Sequence, residues 1–132
     1  MPTRVAPSIS PDTDFFWNGL RDRKLLIQRC TGCGALRNPP RPMCPKCNSL
    51  AWDTVESSGQ GKVYSYVMPQ HPRFPMFEYP YIVALIELAE GVRLVSNLCE
   101  IAPEEARVGM PVEVFYATFD DDLVLHQFRP IG

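Results

Sequence analysis

Apolar residues change their spacing once along this chain, near residue 57, and the change divides it into two regimes. Before it, short apolar clusters stand among turn residues. Ser10-Pro11-Asp12-Thr13-Asp14 reads as a helix start, with Ser10 as N-cap, Pro11 in the first turn and two carboxylates at the positive end of the helix dipole. The helix it opens is short, carries Phe15, Phe16 and Leu20 on one broad face with Trp17 off it, and ends between Gly19 and Asp22. Residues 24–29 are apolar and brief, a strand that delivers Cys30, and residues 50–56 form a second strand. Together they predict a ribbon pinned at one end.

After residue 61 the pattern becomes a series of strands separated by turn chemistry. Residues 61–68 are β-branched and aromatic, residues 81–88 follow, and Glu90-Gly91 turns tightly into residues 92–98 to make a hairpin. Residues 102–106 read as a single helical turn with a proline and carboxylates at its start. A second hairpin joins residues 111–118 to 123–128 around Asp120, Asp121 and Asp122. Three strands, a short helix and two strands is the order of a five-stranded Greek-key barrel of the OB type. The expected fold is therefore mainly β: an N-terminal helical segment over 1–23, a ribbon over 24–56 and a barrel over 57–132. Such barrels host many activities, so the architecture alone selects none.

Chemistry enters through cysteine. Cys30-Thr-Gly-Cys33 and Cys44-Pro-Lys-Cys47 are separated by ten residues, the spacing from which two short turns close four thiolates around one metal ion. Four thiolates complete a tetrahedral shell and leave no position for water or substrate, which describes a structural site. Zinc is expected, with iron the rival that the same sulfurs hold in rubredoxin. Disulfides fit poorly: five cysteines leave one unpaired, and the chain opens without an apolar stretch that could serve as a secretion signal.

The formal charge of −2 and ten arginines against three lysines, spread without a basic run, disfavour nucleic acid as a partner. No apolar stretch approaches the roughly twenty residues that span a bilayer, so a cytoplasmic protein is expected. The two histidines stand in no nucleophile motif, and His126 falls inside the last strand, where a packed or surface role is the default. Cys99 reads as a small buried thiol, and the three aspartates at 120–122 as a solvated turn. Residues 71–80 are too long for a simple turn and carry Phe74, Met76, Phe77 and Tyr79 without periodicity. A proline-stiffened aromatic loop of this kind either packs on its own barrel or covers a ligand or a partner.

These residues also carry a resemblance. Phe16-Trp17, Gln28-Arg29-Cys30, Cys33-Gly34, Pro39-Pro40-Arg41, Cys44-Pro45-Lys46-Cys47, the run Ser58-Gly59-Gln60-Gly61-Lys62-Val63-Tyr64-Ser65 and Val108-Gly109-Met110-Pro111-Val112 occur in order. The chain resembles, over about residues 12 to 130, the family catalogued as domain of unknown function thirty-five. Asn48 stands where many relatives have glycine, and asparagine also tolerates a positive φ. The resemblance implies an N-terminal helical segment, a rubredoxin-like zinc ribbon with one structural zinc, and an OB barrel. It further implies association with acyl-CoA enzymes, chiefly thiolases and thiolase-like lipid-transfer proteins, some of them retro-aldolases of steroid side-chain breakdown. This chain would be the stand-alone form, without the hydratase domain fused to some members. On that basis it is expected to be a non-catalytic accessory subunit, with Phe74, Met76, Phe77 and Tyr79 as partner anchors and Arg37, Arg41 and Lys46 as the cations nearest a CoA phosphate. The alternatives are an OB-fold nucleic-acid-binding module and a rubredoxin-like electron carrier.

Overall fold

Helix α1 (Asp14–Arg21) begins three residues later than the N-cap reading expects. In the computed structural model, which describes residues 10–68, 81–119 and 123–131, Ser10 does not cap it. Its amide donates to Thr13 Oγ1 at 3.2 Å, and its carbonyl accepts from the amides of Thr13 and Asp14, so residues 10–13 close a turn of their own. Asp14 in the first turn and Arg21 in the last still match the helix dipole. Phe16, Gly19 and Leu20 form the buried face.

The ribbon has three strands rather than the expected two. β1 (Leu26–Cys30) lies between β2 (Leu36–Arg37) and β3 (Trp52–Glu56), antiparallel to both. β2 is only two residues long and forms because the first cysteine turn folds the chain back, pairing Leu36 with Arg29 and Arg37 with Gln28.

The remaining strands, β4 (Gln60–Val67), β5 (Ile82–Leu88), β6 (Arg93–Leu98), β7 (Pro111–Phe119) and β8 (Leu123–Pro130), close a barrel in the order β4-β5-β6-β8-β7. A 3₁₀ turn, Pro103–Glu105, sits between the third and fourth of them, as expected for the OB type. Glycine is required at the entry to β4: a Cβ on Gly59 (φ +80°) would lie 2.3 Å from Val114 Cγ1, and one on Gly61 2.5 Å from the Glu87 carbonyl. The seam between β6 and β8 is the one parallel pairing among the described residues, with Leu98 opposite Phe128. Side chains lace it. Ser96 Oγ donates to the His126 carbonyl at 2.8 Å, and His126 Nε2 donates to the Val95 carbonyl at 3.1 Å.

Helix, ribbon and barrel share one apolar core, in which Phe16, Leu20, Leu25 and Ile27 join Val63, Ile86, Leu94, Val112 and Phe128. Phe15 stacks on Trp52 of the ribbon at 5.0 Å, and Phe16 meets His126 of the barrel edge-on at 5.2 Å. Ser57 Oγ and the Ser58 amide both bind the Glu90 carboxylate, at 2.6 and 3.0 Å, tying the ribbon exit to the β5–β6 turn. Burial pushes the Glu90 carboxyl up, but these donors outweigh it and hold the group below the usual carboxylate range.

Candidate functional site

Two turns of the same design bring the cysteines together. The Gly34 amide donates to the Cys30 carbonyl at 2.8 Å, and the Asn48 amide donates to the Cys44 carbonyl at 2.9 Å. Gly34 (φ +80°) and Asn48 (φ +63°) occupy equivalent left-handed positions, so asparagine does in the second turn what glycine does in the first. Cys30 and Cys44 are buried, while Cys33 and Cys47 are exposed.

The sulfurs stand 3.5 Å apart for Cys30–Cys47 and 3.7 Å for Cys33–Cys44, and all four lie within 4.8 Å of one another. Thiolates about 2.3 Å from a tetrahedral zinc would stand about 3.8 Å apart, so the cluster fits one such ion. Bonded sulfurs would be at about 2.05 Å, which rules out a disulfide pairing. Backbone amides prepare the site: the Cys33 amide leads in drawing the Cys30 thiol down to about 6, and the Cys47 and Lys46 amides draw Cys44 down. Cys47 runs the other way. The Ser49 amide favours its thiolate, yet neighbouring Cys30, burial, Cys33 and Cys44 push it up to about 12. Four thiolates this close repel one another, and a divalent cation removes that repulsion.

The loop between the two cysteine turns is held by a polar network that sequence reasoning missed. Gln28 is 1% exposed; its Oε1 accepts from Arg37 Nε and from the Arg41 amide, both at 2.9 Å, and its Nε2 donates to the Arg41 carbonyl at 2.9 Å. Arg37, 7% exposed, donates from Nε and Nη2 to the same carbonyl at 3.1 and 2.8 Å, and its Nη1 is buried with no partner. Arg37 therefore works inside the ribbon, whereas Arg41 and Lys46 remain exposed. The signal for this network was a glutamine two residues before Cys30, on the same face of the strand as that buried cysteine.

His126 has a packed role: half-buried, held by the Val95 carbonyl and Phe16, with burial keeping its pKa below the ordinary value against that carbonyl's pull. Its Nδ1 is buried without a partner. Because Nε2 donates to a carbonyl, Nδ1 carries the lone pair of the neutral ring. Cys99 is half-buried rather than fully buried, its thiol donating to Gln127 Oε1 at 3.5 Å. Phe74, Met76, Phe77, Tyr79, His71 and the aspartates at 120–122 lie outside the described residues.

A closed tetrathiolate ribbon continuous with an OB barrel defines the class of protein: a structural zinc ribbon built onto an OB-type barrel. Two family descriptions fit it in that order, the rubredoxin-like zinc ribbon domain of ChsH2 over residues 17–53 and the ChsH2 C-terminal OB-fold domain over residues 54–116. The chain is 35% identical over 124 residues to a DUF35 domain-containing scaffold protein of Methanocaldococcus jannaschii, covering 87% of this chain and 88% of that one. It belongs to the DUF35 family. The chain is also 31% identical over 137 residues to the benzoylsuccinyl-CoA thiolase subunit BbsA of Thauera aromatica, covering 95% and 94% of the two chains. A probable enoyl-CoA hydratase alpha subunit of Thermomonospora curvata is 50% identical over 127 residues, and this chain, 96% covered, spans 40% of that protein's length. Among solved structures, a chain of the Ltp2-ChsH2(DUF35) aldolase superposes with a TM-score of 0.91 at 51% identity, covering 94% of this chain and 98% of that one. The four cysteines accordingly form a site for one zinc ion.

Proposed function

We propose that the chain is an accessory, non-catalytic subunit that binds a thiolase-like enzyme of the lipid-transfer-protein type and supports its acyl-CoA chemistry, the reaction served being retro-aldol cleavage of a steroid side chain. The observation that carries this reading is the construction of the metal site. Its four sulfurs leave no open position, and it shares one core with the barrel, so the metal serves shape rather than turnover. The likeness to a chain of the Ltp2-ChsH2 aldolase and to a thiolase subunit supports the partner class. Phe74, Met76, Phe77 and Tyr79 are proposed as anchors on their sequence alone. Of the cations near the ribbon, Arg41 and Lys46 are free to meet a CoA phosphate, while Arg37 holds the loop that carries Arg41. Among the described residues no helix is long and apolar enough to cross a membrane. We place the protein in the cytoplasm, where five cysteines without a disulfide stay reduced.

The test is co-expression with the Ltp2 component of that aldolase, followed by co-purification and assay of CoA-thioester cleavage. Activity that needs both chains supports the proposal. Turnover of an acyl-CoA by the isolated chain refutes it.

A further inference from the structure

The outer face of an antiparallel barrel meets water and is ordinarily polar, yet strand β5 is apolar on both faces. Ile82, Ala84, Ile86 and Leu88 point into the barrel, and Val83 and Leu85 point out. On the outer face Val67 lies opposite Val83 and Val95 opposite Leu85, these two valines being 61% and 63% exposed, while the uncharged Asn97 and Ser65 lie on the other side of Val83 and Leu85. Charge appears only at one end, where Lys62 and Arg93 flank Glu87 at 3.5 and 3.4 Å.

Val95 is also a ridge between two depressions of about 250 Å³ each. One is roofed by Trp17 and Phe16 of α1 and walled by Pro39 and Pro40 of the ribbon loop. The other lies between Tyr81, Val83 and Leu125. His126 borders both, and none of the residues lining either one is a lysine, arginine, aspartate or glutamate. In a chain that is 21% charged, a continuous strip of this kind has the composition of an interface centre, from which charge is depleted while the rim stays polar.

We propose that this strip, from Trp17 across Val95 to Val67, is the face that docks the thiolase-like subunit, through apolar side chains of that subunit seated in the two depressions on either side of Val95. The assignment rests on the accessory reading above. Among the described residues no cation lines either depression, and Lys62 and Arg93 at the end of the strip are engaged by Glu87, which disfavours a phosphate-bearing occupant such as nucleic acid or the nucleotide end of CoA. A separate subunit is favoured over a second copy because the similar ChsH2(DUF35) chain belongs to an Ltp2-ChsH2 aldolase, and a partner with protruding apolar side chains fits two uncharged hollows.

The experiment measures binding of the full chain to the Ltp2 component of the aldolase for the parent and for Val95→Arg, Val67→Arg and Val108→Arg. Val108, 66% exposed, lines neither depression and serves as the control. Zinc content and melting temperature of each variant verify folding. The expected result is at least a roughly thirty-fold loss of affinity for Val95→Arg, a smaller loss for Val67→Arg and parental binding for Val108→Arg. Parental binding by folded Val95→Arg and Val67→Arg overturns the assignment while leaving the accessory reading in place. So does a parent dimer that Val95→Arg splits without changing Ltp2 binding, because the strip is then a contact between copies. A parent chain that does not bind Ltp2 removes the accessory reading and this assignment together.

Discussion

Replacing Gln28 with leucine should destabilise the ribbon far more than a change of similar volume elsewhere. The amide side chain makes three hydrogen bonds in a site only 1% exposed, two accepted by Oε1 and one donated by Nε2. Leucine makes none. The Arg41 amide is then left unpaired, and Arg37, whose Nη1 already lacks a partner, keeps only the Arg41 carbonyl. Each buried group stranded in this way costs about 1–3 kcal/mol, and the added apolar surface returns about 1 kcal/mol. The net loss is about 2–4 kcal/mol, a fall in melting temperature of roughly 8–15 °C for a chain of this size. Urea unfolding followed by tryptophan fluorescence reads it directly, because Trp52 of the ribbon packs on Phe15 of α1 and Trp17 packs on Phe16. The decisive comparison is Gln28→Leu together with Arg37→Leu. If stranded polar groups cause the loss, removing the guanidinium as well makes the double variant at least about 1 kcal/mol more stable than the sum of the singles. A Gln28→Leu protein within about 0.5 kcal/mol of the parent, or a strictly additive cycle, refutes the reasoning.

Cys44→Ser should abolish stoichiometric zinc and loosen the ribbon, because metal binding and folding are coupled in such sites; elemental analysis showing one zinc retained per chain contradicts it. Gly59→Ala should cost about 2 kcal/mol or more, since it meets both the Val114 side chain at 2.3 Å and a φ of +80°. Pairing it with Val114→Ala, compared by thermal melting, should recover the clash component but not the backbone component. Acid should destabilise the chain in two stages. His126 has a folded pKa below its ordinary 6.5, so below that pH the unfolded state takes up a proton that the folded state resists, and stability falls as pH drops. Glu90 has a folded pKa below 4.5, so its contribution is present above that pH and is lost as pH falls through the folded value. His126→Gln should flatten the first stage and leave the second, as read from stability against pH.

What the sequence disclosed followed the range of each interaction. The four sulfurs were legible because two-residue spacings and a following glycine or asparagine determine the turns locally. The barrel strands were legible because each alternates or is β-branched over six residues or more. β2 was not, since two residues carry no period and pair only after the first cysteine turn has formed. The helix start was misplaced because the Ser10 amide and hydroxyl both engage the Thr13 hydroxyl, a choice between two local hydrogen bonds that composition does not decide. In sequence Arg37 groups with Arg41 and Lys46 as a cation that could meet a CoA phosphate, because arginine is usually exposed. Only the register that sets it opposite Gln28, and the return of the loop at Arg41, reveal that it is buried.

The closed metal site bears on partner binding through that same loop. Arg41 is fixed by Gln28 and Arg37, and three residues on the chain enters Cys44, whose sulfur belongs to the cluster. In the other direction Pro40 and Pro39 wall the depression beside Val95, and Asn38 Nδ2 is anchored to the barrel by the Arg93 carbonyl at 2.8 Å. The segment is thus held at three points, and zinc secures one of them although no cysteine lines the groove. Because metal binding and folding are coupled in such ribbons, removing the metal should loosen the ribbon as a whole, the Gln28 and Arg37 anchor of Arg41 included, and so release the proline wall while leaving the barrel ladders intact. Chelation should therefore weaken Ltp2 binding by roughly ten-fold or more, an amount set by loss of one wall of a central pocket. Titration of the chelated chain against Ltp2, with amide exchange to verify that β4 to β8 stay protected, checks this. A metal-free chain with an intact barrel and undiminished binding would show that the ribbon and the docking face are independent.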